Sequence, residues 1–267
     1  MERELSQIAQ EARKLIIEAA CRSKSAHVGS SLSCVDLLVS LYFSEMNFDM
    51  KEWGNRDIFV LSKAHAAMAL YAVLTIKGIL SKKQFEGYLL NNGTLPAHLD
   101  RFTSKGIEVS AGSLGHGFNI AMGIAYGYKL KKDKRRVFVL IGDGESQEGS
   151  IWEGALFASK LGIDNVTVIV DHNDLQGYGR PTEICHFEPA LDKWKAFGWE
   201  PFRVNGHNFT EITDALQKSN NGKPKVVIAE TTKGKGVGFM EDEMKWHYFI
   251  VTDELKQKAI EELCNIT

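Results

Sequence analysis

Apolar residues recur along the chain at two different spacings. Near the N-terminus they follow helical spacing through Leu5, Ile8, Ala12, Ile16 and Ala19, which predicts an amphipathic helix. Further on, short unbroken runs rich in Val, Ile and Phe predict strands that are buried on both faces. These runs lie at residues 58–61, 137–141, 166–170, 201–204 and 226–230.

Helical spacing returns between these runs. It predicts helices near residues 35–42, 66–76, 121–130, 151–161, 190–197 and 210–218. Strands that alternate with helices predict an α/β fold, in which a central parallel sheet is covered by helices on both faces. The sequence contains no repeat, low-complexity tract or proline-rich linker, so we expect one domain over residues 1–267.

Composition and charge exclude several classes of protein. The 267 residues include 32 Lys and Arg against 34 Asp and Glu, which gives a formal net charge of −2. A protein that binds nucleic acid through bulk charge needs a basic face, so nucleic acid is not an expected partner. No apolar run approaches the roughly 18 residues of a membrane span, and the charged N-terminus does not resemble a secretory signal. We therefore expect a soluble protein with no membrane partner.

Four cysteines are spread along the chain, at Cys21, Cys34, Cys185 and Cys264. They form no Cys-x-x-Cys pair, a spacing that zinc sites and disulfide-rich scaffolds favour. Unpaired thiols are typical of a reducing compartment, so we expect a cytoplasmic protein.

The most informative segment begins with the strand predicted over residues 137–141. The strand runs into Gly142, Asp143 and Gly144, and a helix is predicted a few residues later. Glycine lets a chain turn tightly and approach a ligand closely, and the amides at a helix start can bind an anion. Asp143 would add a hard oxygen ligand that suits Mg²⁺ or Ca²⁺. Alone, this pattern is more typical of an ordinary turn or hairpin.

The strand over residues 166–170 supplies the second half of the pattern, because Asn173 follows it closely. Twenty-eight residues separate Gly144 from Asn173, which is enough for one helix and one strand. Both strand ends then emerge at the same edge of a parallel sheet. We therefore predict that oxygens of Asp143, Asn173 and the Leu175 carbonyl converge on one cation that also binds a diphosphate.

With this spacing, Gly142, Asp143, Gly144 and Asn173 resemble the thiamine-diphosphate motif. The runs GESQEGSIWE from Gly144 and DHNDLQ from Asp171 are similar to those of transketolase. Other segments match the family in the same order, at residues 25–30, 61–66, 95–98 and 108–117. The resemblance spans nearly the whole chain and implies the three-layer thiamine-diphosphate-binding fold.

The resemblance implies a set of cofactor ligands. The implied cofactor is thiamine diphosphate, with Mg²⁺ or Ca²⁺ held by Asp143, Asn173 and the Leu175 carbonyl. The Gly112 carbonyl would accept a hydrogen bond from the cofactor's 4′-amino group, and Leu114 would pack against its pyrimidine ring. The full set of implied cofactor contacts is His65, Gly112, Ser113, Leu114, Asp143, Gly144, Glu145, Asn173 and His247.

The resemblance also implies the catalytic residues. His27 and His98 match histidines that hydrogen-bond substrate hydroxyls and move protons, and His247 borders the substrate channel. A neutral imidazole can both accept and donate a proton near neutral pH. Glu148 matches a carboxylate at the subunit contact that links two active sites.

Five positions depart from the family pattern. Ala64 replaces a glycine, His116 replaces a glutamine, and Tyr248 replaces a glycine. Leu99 and Asp100 stand where proline and glutamate are usual. We expect these departures to affect substrate geometry more than cofactor binding.

The chain matches only the first domain of a full transketolase. The resemblance implies that a second polypeptide carries the pyrimidine-binding domain, including the glutamate that protonates the cofactor. We expect the N-terminal subunit of a split transketolase, in an α₂β₂ heterotetramer that moves a two-carbon ketol unit from a ketose or ketose phosphate to an aldose. Two alternatives stay open. One is the equivalent subunit of another thiamine enzyme, such as a 2-oxo acid dehydrogenase or a 1-deoxyxylulose-5-phosphate synthase relative, and the other is a non-catalytic scaffold subunit.

Overall fold

A five-stranded parallel sheet lies at the centre of the computed structural model, which describes residues 2–265. The strands are β1 (Ile58–Leu61), β2 (Val137–Gly142), β3 (Val166–His172), β4 (Glu200–Asn205) and β5 (Lys225–Glu230). They lie in the order β1-β2-β3-β5-β4, and each neighbouring pair is parallel. The five predicted strands are therefore confirmed, with small differences at their ends.

Helices connect the strands and extend beyond them. The helices in residues 2–265 are α1 (Glu2–Ser23), α2 (Val28–Ser33), α3 (Val35–Ser40), α4 (Ala67–Ile76), α5 (Lys82–Glu86), α6 (His116–Leu130), α7 (Gly149–Lys160), α8 (Pro181–Ile184), α9 (Ala190–Ala196), α10 (Phe209–Gln217) and α11 (Asp253–Asn265). Every helix expected from the sequence is present. The short helices α2, α5 and α8 and the C-terminal α11 were not predicted. Three of the six residues of α2 are serine, a weak helix former, and all six are buried, so tertiary packing stabilises this helix.

Helices cover both faces of the sheet. Successive side chains of a strand point to opposite faces, so Phe59 and Leu61 face one core while Ile58 and Val60 face the other. Helices α1 to α4, α10 and α11 pack in the first core, and α6, α7 and α9 pack in the second. The predicted three-layer fold class is confirmed. Because both faces are buried, the strands carry the unbroken apolar runs seen in the sequence.

The carboxyl ends of the parallel strands meet at one edge of the sheet. Strands β2 and β3 pair with Gly142 opposite Asp171, so the segments that follow them leave the sheet side by side. At the opposite edge, Arg136 pairs with the buried carboxylate of Asp57 at 2.7 Å and also with Glu45. Among the helices of residues 2–265, none combines the length and apolar character needed to cross a bilayer.

Candidate active site

A cavity of about 460 Å³ opens at the carboxyl edge of the sheet, beside the ends of β2 and β3. The residues expected at the site that line it are His27, His65, His98, Gly112, Leu114, Asp143, Gly144, Glu145, Glu148, Asn173, Leu175 and His247. Ser113 is exposed and lies outside this lining. A larger, more open groove of about 860 Å³ between α1 and α11 contains none of the expected residues.

Asp143 is buried at the end of β2, with 4% of its surface exposed. Its Oδ1 accepts a hydrogen bond from the Gly144 amide at 2.7 Å, and its Oδ2 accepts one from the Asp174 amide at 2.9 Å. The Nδ1 atom of His172 lies 3.3 Å from the same Oδ2. Because Asp174 and His172 belong to the β3 segment, these contacts join the two strand ends through one carboxylate.

Asn173 and Leu175 follow β3 and face the same cavity. The Asn173 Nδ2 donates inward, to Asp171 Oδ2 at 3.3 Å and to Ser33 Oγ at 3.4 Å. Its Oδ1 accepts a hydrogen bond from the Leu175 amide at 3.2 Å. These bonds fix the orientation of the Asn173 amide, with Nδ2 pointing inward. The two neighbouring strand tips therefore lie at one edge of the sheet, as their spacing in the sequence predicts.

A buried ion pair lies behind Asn173 and was missed in the sequence. Lys63 Nζ pairs with the Asp171 carboxylate, and their side chains are 1% and 0% exposed. Asp171 also accepts hydrogen bonds from Ser33 Oγ at 2.6 Å and from Thr231. Burial alone would raise the pKa of Asp171, but the Lys63 ammonium and these donors outweigh burial and lower it. The carboxylate is therefore ionised and fixes the position of Lys63 at the cavity.

A second buried lysine, Lys233, was also missed, since the sequence indicated only a glycine-rich loop there. Lys233 is 1% exposed. Its Nζ donates to the Leu175 carbonyl at 3.0 Å and to Ser30 Oγ at 3.2 Å, and lies 3.1 Å from His247 Nδ1. Burial and the positive charge of Lys63 lower its pKa to about 8. Two ammonium groups beside the strand ends favour an anionic ligand in this cavity.

Three histidines from distant parts of the sequence surround a fourth, His27. Its ring centroid lies 5.0 Å from that of His247, 5.4 Å from that of His65 and 6.1 Å from that of His98. The His65 and His247 rings are 5.7 Å apart. The structure thus brings together the four histidines that the sequence singled out.

The backbone of His27 adopts the left-handed conformation, with φ of 68° and ψ of 20°. For a residue with a side chain this costs roughly 1–2 kcal/mol. Two bonds hold it: the His27 amide donates to the His247 carbonyl at 2.9 Å, and the His27 carbonyl accepts from the Ser31 amide at 3.1 Å. Strained backbone of this kind is typical of functional sites, and here it directs His27 into the cluster.

Three histidines of the cluster, His27, His65 and His247, are neutral at physiological pH. Burial lowers the pKa of His27 to about 4, with further lowering by His98 and Lys233. Burial and the charge of Lys233 lower the pKa of His247 to about 3, and burial also lowers the pKa of His65 well below its ordinary value. Each neutral ring can donate one hydrogen bond and accept another, as contacts to sugar hydroxyls require.

We expect the stability of the chain to fall as the pH is lowered below about 6.5, the pKa of an unfolded histidine. In this range the unfolded state binds protons that folded His27 and His247 do not bind, because their pKa values are about 4 and 3. Between about pH 7 and about pH 5 the melting temperature of the wild type should fall. That of the double variant His27→Gln, His247→Gln should fall by a few degrees less than that of the wild type. Calorimetry measures this, with His186→Gln, at an exposed position, as the control. Equal pH slopes in the double variant and the wild type would contradict neutral buried histidines.

Glu145 connects the Gly-Asp-Gly turn to the glycine loop at residues 108–117. Its carboxylate is 2% exposed and accepts hydrogen bonds from the Gly142 amide at 3.2 Å, the Gly115 amide at 2.9 Å and the Ser62 hydroxyl. Burial raises the pKa of Glu145. Its contacts position the loop that carries the expected pyrimidine contacts.

Of the five departures from the family pattern, Tyr248 is the one that lines the cavity. Its ring centroid lies 4.5 Å from that of His247 and 6.0 Å from that of His27. Its hydroxyl packs against Gly177, where a Cβ would come within 2.6 Å of the oxygen. The others, outside the lining, are Ala64, Leu99, Asp100 and His116. Tyr248 therefore narrows the mouth of the cavity beside His27 and His247.

The polar groups of the cavity fit a metal-bound diphosphate. The Gln176 Nε2 is buried and has no hydrogen-bond partner within residues 2–265, and its side chain lies against Gly144. A buried unpaired donor is costly unless a ligand supplies an acceptor. The described residues contain no cluster of three His, Cys, Asp or Glu side chains suited to a metal. Asp143, Asn173 and Leu175 instead offer one carboxylate oxygen, one amide oxygen and one backbone carbonyl oxygen. A hard cation here would complete its shell with phosphate oxygens.

Comparison with known proteins links the chain to one family. Residues 5–262 match the family described as transketolase, thiamine diphosphate binding domain. The 6-deoxy-6-sulfo-D-fructose transketolase subunit of Clostridium sp. (strain MSTE9) is 38% identical over 255 residues, which cover 94% of this chain and 93% of the relative. An apulose-4-phosphate transketolase subunit of Actinobacillus succinogenes is 39% identical over 254 residues, which cover 94% of this chain and 92% of that relative.

Solved transketolases share the fold but are longer. The structure of transketolase from Leishmania mexicana superposes with a TM-score of 0.89 at 26% identity, covering 97% of this chain and 41% of that chain. Transketolase from Campylobacter jejuni gives a TM-score of 0.87 at 30% identity, covering 98% of this chain and 44% of that chain. The chain therefore spans less than half the length of these solved proteins and nearly the full length of the relatives named as subunits.

Proposed function

Because this chain belongs to the transketolase family, we propose that it is the N-terminal subunit of a two-chain transketolase, with residues 1–267 as one thiamine-diphosphate-binding domain. The complete enzyme transfers a two-carbon ketol unit from a ketose or ketose phosphate to an aldose. One observation carries this proposal. The chain covers 93% of a relative named as a transketolase subunit, but only 41% of a solved transketolase.

In this proposal the cavity holds thiamine diphosphate with Mg²⁺ or Ca²⁺. Asp143, Asn173 and the Leu175 carbonyl bind the metal, which also binds diphosphate oxygens. The Lys233 ammonium contacts the diphosphate, and the Gly144 amide would contact it by exchanging its bond to Asp143 Oδ1 for a phosphate oxygen. The orientation of Asp143 by the Asp174 amide supports this assignment.

Thiamine diphosphate, when bound, supplies the nucleophilic carbon for attack on the ketose carbonyl. The residues of this chain orient the cofactor and the sugar. The Gly112 carbonyl accepts from the cofactor's amino group, and Leu114 packs against its pyrimidine ring. The rings of His27 and His98 would hydrogen-bond the sugar hydroxyls, and His247, beside His27, would face the diphosphate side of the same space.

The proposed partner is a C-terminal subunit that carries the pyrimidine-binding domain, in an α₂β₂ assembly. Glu148 is exposed at the cavity mouth, where it can reach a second chain. The adjoining helices α6 and α7 expose the apolar side chains of Ile120, Leu156 and Phe157. A partner that covered this surface would bury apolar area and exclude water from the cavity.

The donor substrate tests the proposal against other thiamine enzymes. We expect the chain, reconstituted with its partner subunit, Mg²⁺ and thiamine diphosphate, to transfer a ketol unit to an aldose from at least one member of a panel of ketoses and ketose phosphates. Pyruvate in place of the ketose should give no product. The measurement is product formation by mass spectrometry with each donor. Turnover of pyruvate without ketol transfer would establish the 2-oxo acid alternative and refute ours.

A non-catalytic scaffold subunit has no need of the ionised Asp171–Lys63 pair beside a cavity lined by four histidines. Titration of thiamine diphosphate into the two-chain complex separates the two functions, because a scaffold would not bind it.

We also propose that the protein is cytoplasmic, because its four cysteines are spread along the sequence without paired spacing.

A further inference from the structure

The loop that carries Lys233 follows β5 and contains little regular structure of its own. It includes Gly234 and Gly236 in the left-handed region, with φ of 79° and 94°. Yet the Lys233 ammonium is held among Ser30 Oγ, the Leu175 carbonyl and His247 Nδ1, all between 3.0 and 3.2 Å away. A glycine-rich segment holds such a position only if other contacts anchor its backbone.

A cluster formed by Arg13, Asp36 and His207 lies beneath this loop, with Arg13 and Asp36 buried and His207 partly exposed. Arg13 comes from α1, Asp36 from α3, and His207 from the turn between β4 and α10. Arg13 Nη2 lies 2.6 Å from Asp36 Oδ2, and His207 Nδ1 lies 2.7 Å from the same oxygen. Asp36 is 4% exposed. Burial alone would raise the pKa of Asp36, but Arg13 and His207 lower it, so the centre of the cluster is an anion.

Both partners of Asp36 also bind the backbone of the loop. His207 Nε2 accepts a hydrogen bond from the Thr232 amide at 2.8 Å, and Arg13 Nε donates to the Lys235 carbonyl at 3.1 Å. These two bonds lie on either side of Lys233 in the sequence. The loop also passes directly over Arg13, because a Cβ on Gly236 would lie 2.8 Å from Arg13 Cδ.

The direction of the Thr232 bond shows which tautomer His207 adopts. Since Nε2 accepts from an amide, the ring proton sits on Nδ1 and is donated to Asp36. Asp36 therefore fixes both the tautomer and the orientation of His207, as a carboxylate does for a metal-bound histidine. Asp36 also orients Arg13 toward Lys235. One carboxylate thus determines two of the contacts that anchor the loop, which is also held by the bond from the Gly234 amide to the Gly29 carbonyl at 3.0 Å.

We propose that Arg13, Asp36 and His207 are positioning residues, which anchor the loop on both sides of Lys233 and so place its ammonium against the diphosphate of the cofactor. The inference rests on the proposed function for the identity of the ligand. None of the three residues lines the active-site cavity, whereas Lys233 does, so the cluster acts on the cavity through Lys233. Small displacements of a positioned charge have large effects on binding and rate. Loss of the anchor should therefore weaken binding of the diphosphate in the cavity.

Three variants and one control test the proposal. His207→Phe removes both hydrogen bonds, whereas His207→Gln keeps an oxygen that can accept from Thr232. Asp36→Asn removes the charge at similar volume. The control is Asp57→Asn, which breaks an Asp–Arg pair at the opposite edge of the sheet whose carboxylate is as buried as that of Asp36.

The first readout needs no cofactor. Hydrogen exchange of the amides in residues 232–236 and acylation of Lys233 at one fixed pH are followed by mass spectrometry. In His207→Phe and Asp36→Asn both rates should rise at least about tenfold, since the loop opens without global unfolding. His207→Gln should recover part of the protection at Thr232. Asp57→Asn should leave both rates unchanged even if its melting temperature falls. Wild-type rates in His207→Phe, or an equal increase in Asp57→Asn, would overturn the proposal.

The second readout is the dissociation constant of thiamine diphosphate with Mg²⁺ in the two-chain complex. It should rise about 10- to 100-fold in His207→Phe and Asp36→Asn, the range typical of partners one step removed from a ligand. An unchanged constant in variants whose loop has opened would show that the anchor does not serve the cofactor. If the wild-type complex does not bind the cofactor, the proposed function fails, while the exchange and acylation rates still decide whether the cluster anchors the loop.

Discussion

Replacing Asp143 with alanine is expected to weaken metal-dependent binding of thiamine diphosphate to the two-chain complex by at least about 100-fold. Loss of a residue that only orients a metal ligand already lowers metal affinity about 10- to 100-fold. Asp143 is itself a proposed ligand and is the one carboxylate among them. The nearby carboxylates of Asp171 and Glu145 are already bonded, Asp171 to Lys63 and Glu145 to Ser62 and the Gly115 amide, so neither is expected to replace Asp143. Titration calorimetry with and without Mg²⁺ measures the effect.

Comparing the affinities measured with and without Mg²⁺ separates a loss of metal binding from a loss of folding. Asp143→Asn keeps an oxygen but loses the charge, so its affinity should lie between those of the wild type and Asp143→Ala. Asp57→Asn, at the opposite edge of the sheet, should bind as the wild type does. If Asp143→Ala retains the full increase in affinity that Mg²⁺ produces, Asp143 is not a metal ligand.

The second large effect concerns the chain without its partner. Alone, it should show at least about 100-fold less ketol transfer than the two-chain complex at saturating cofactor. The resemblance assigns the glutamate that protonates the cofactor to the missing domain, and a positioned general acid contributes roughly 10²- to 10⁴-fold. The exposed mouth of the cavity, with Tyr178 86% exposed, would also admit water.

Adding the separately purified partner should restore the rate, and the increase should saturate at one partner per chain. Sedimentation of the mixture reports whether the active species is the proposed heterotetramer. Ketol transfer by the chain alone, at a rate equal to that of the complex, would refute an active site shared between two polypeptides.

Much of the fold could be predicted because the sheet is buried on both faces. Such strands must be apolar throughout, so β2 and β3 stand out as runs of Val and Ile between helical segments. Where packing rather than pattern determines an element, prediction failed. Helix α2 is rich in serine yet fully buried. Helix α6 begins at His116, earlier than its apolar pattern, because Gly115 adopts a positive φ and turns the chain.

The candidate site could be predicted in part for a similar reason. Asp143 and Asn173 follow adjacent parallel strands, so their proximity follows from topology, and the four histidines were singled out by resemblance. The buried charges could not be found this way. Lys63 meets Asp171, and Arg13 meets Asp36 and His207, across large separations in sequence, and no periodicity encodes these pairings. Buried charges are uncommon and must be paired, so only the folded chain identifies their partners.

The central claim is that Asp143, Asn173 and the Leu175 carbonyl bind one divalent ion that also holds a diphosphate. Crystals of the two-chain complex with thiamine diphosphate and Mn²⁺, a scatterer that can replace Mg²⁺, test it most directly by locating the metal from its anomalous signal. We predict one peak, within about 2.0–2.3 Å of an oxygen from each of the three residues and bound to the diphosphate. A peak elsewhere, or Asp143 and Asn173 oxygens too far apart to share it, would contradict the account.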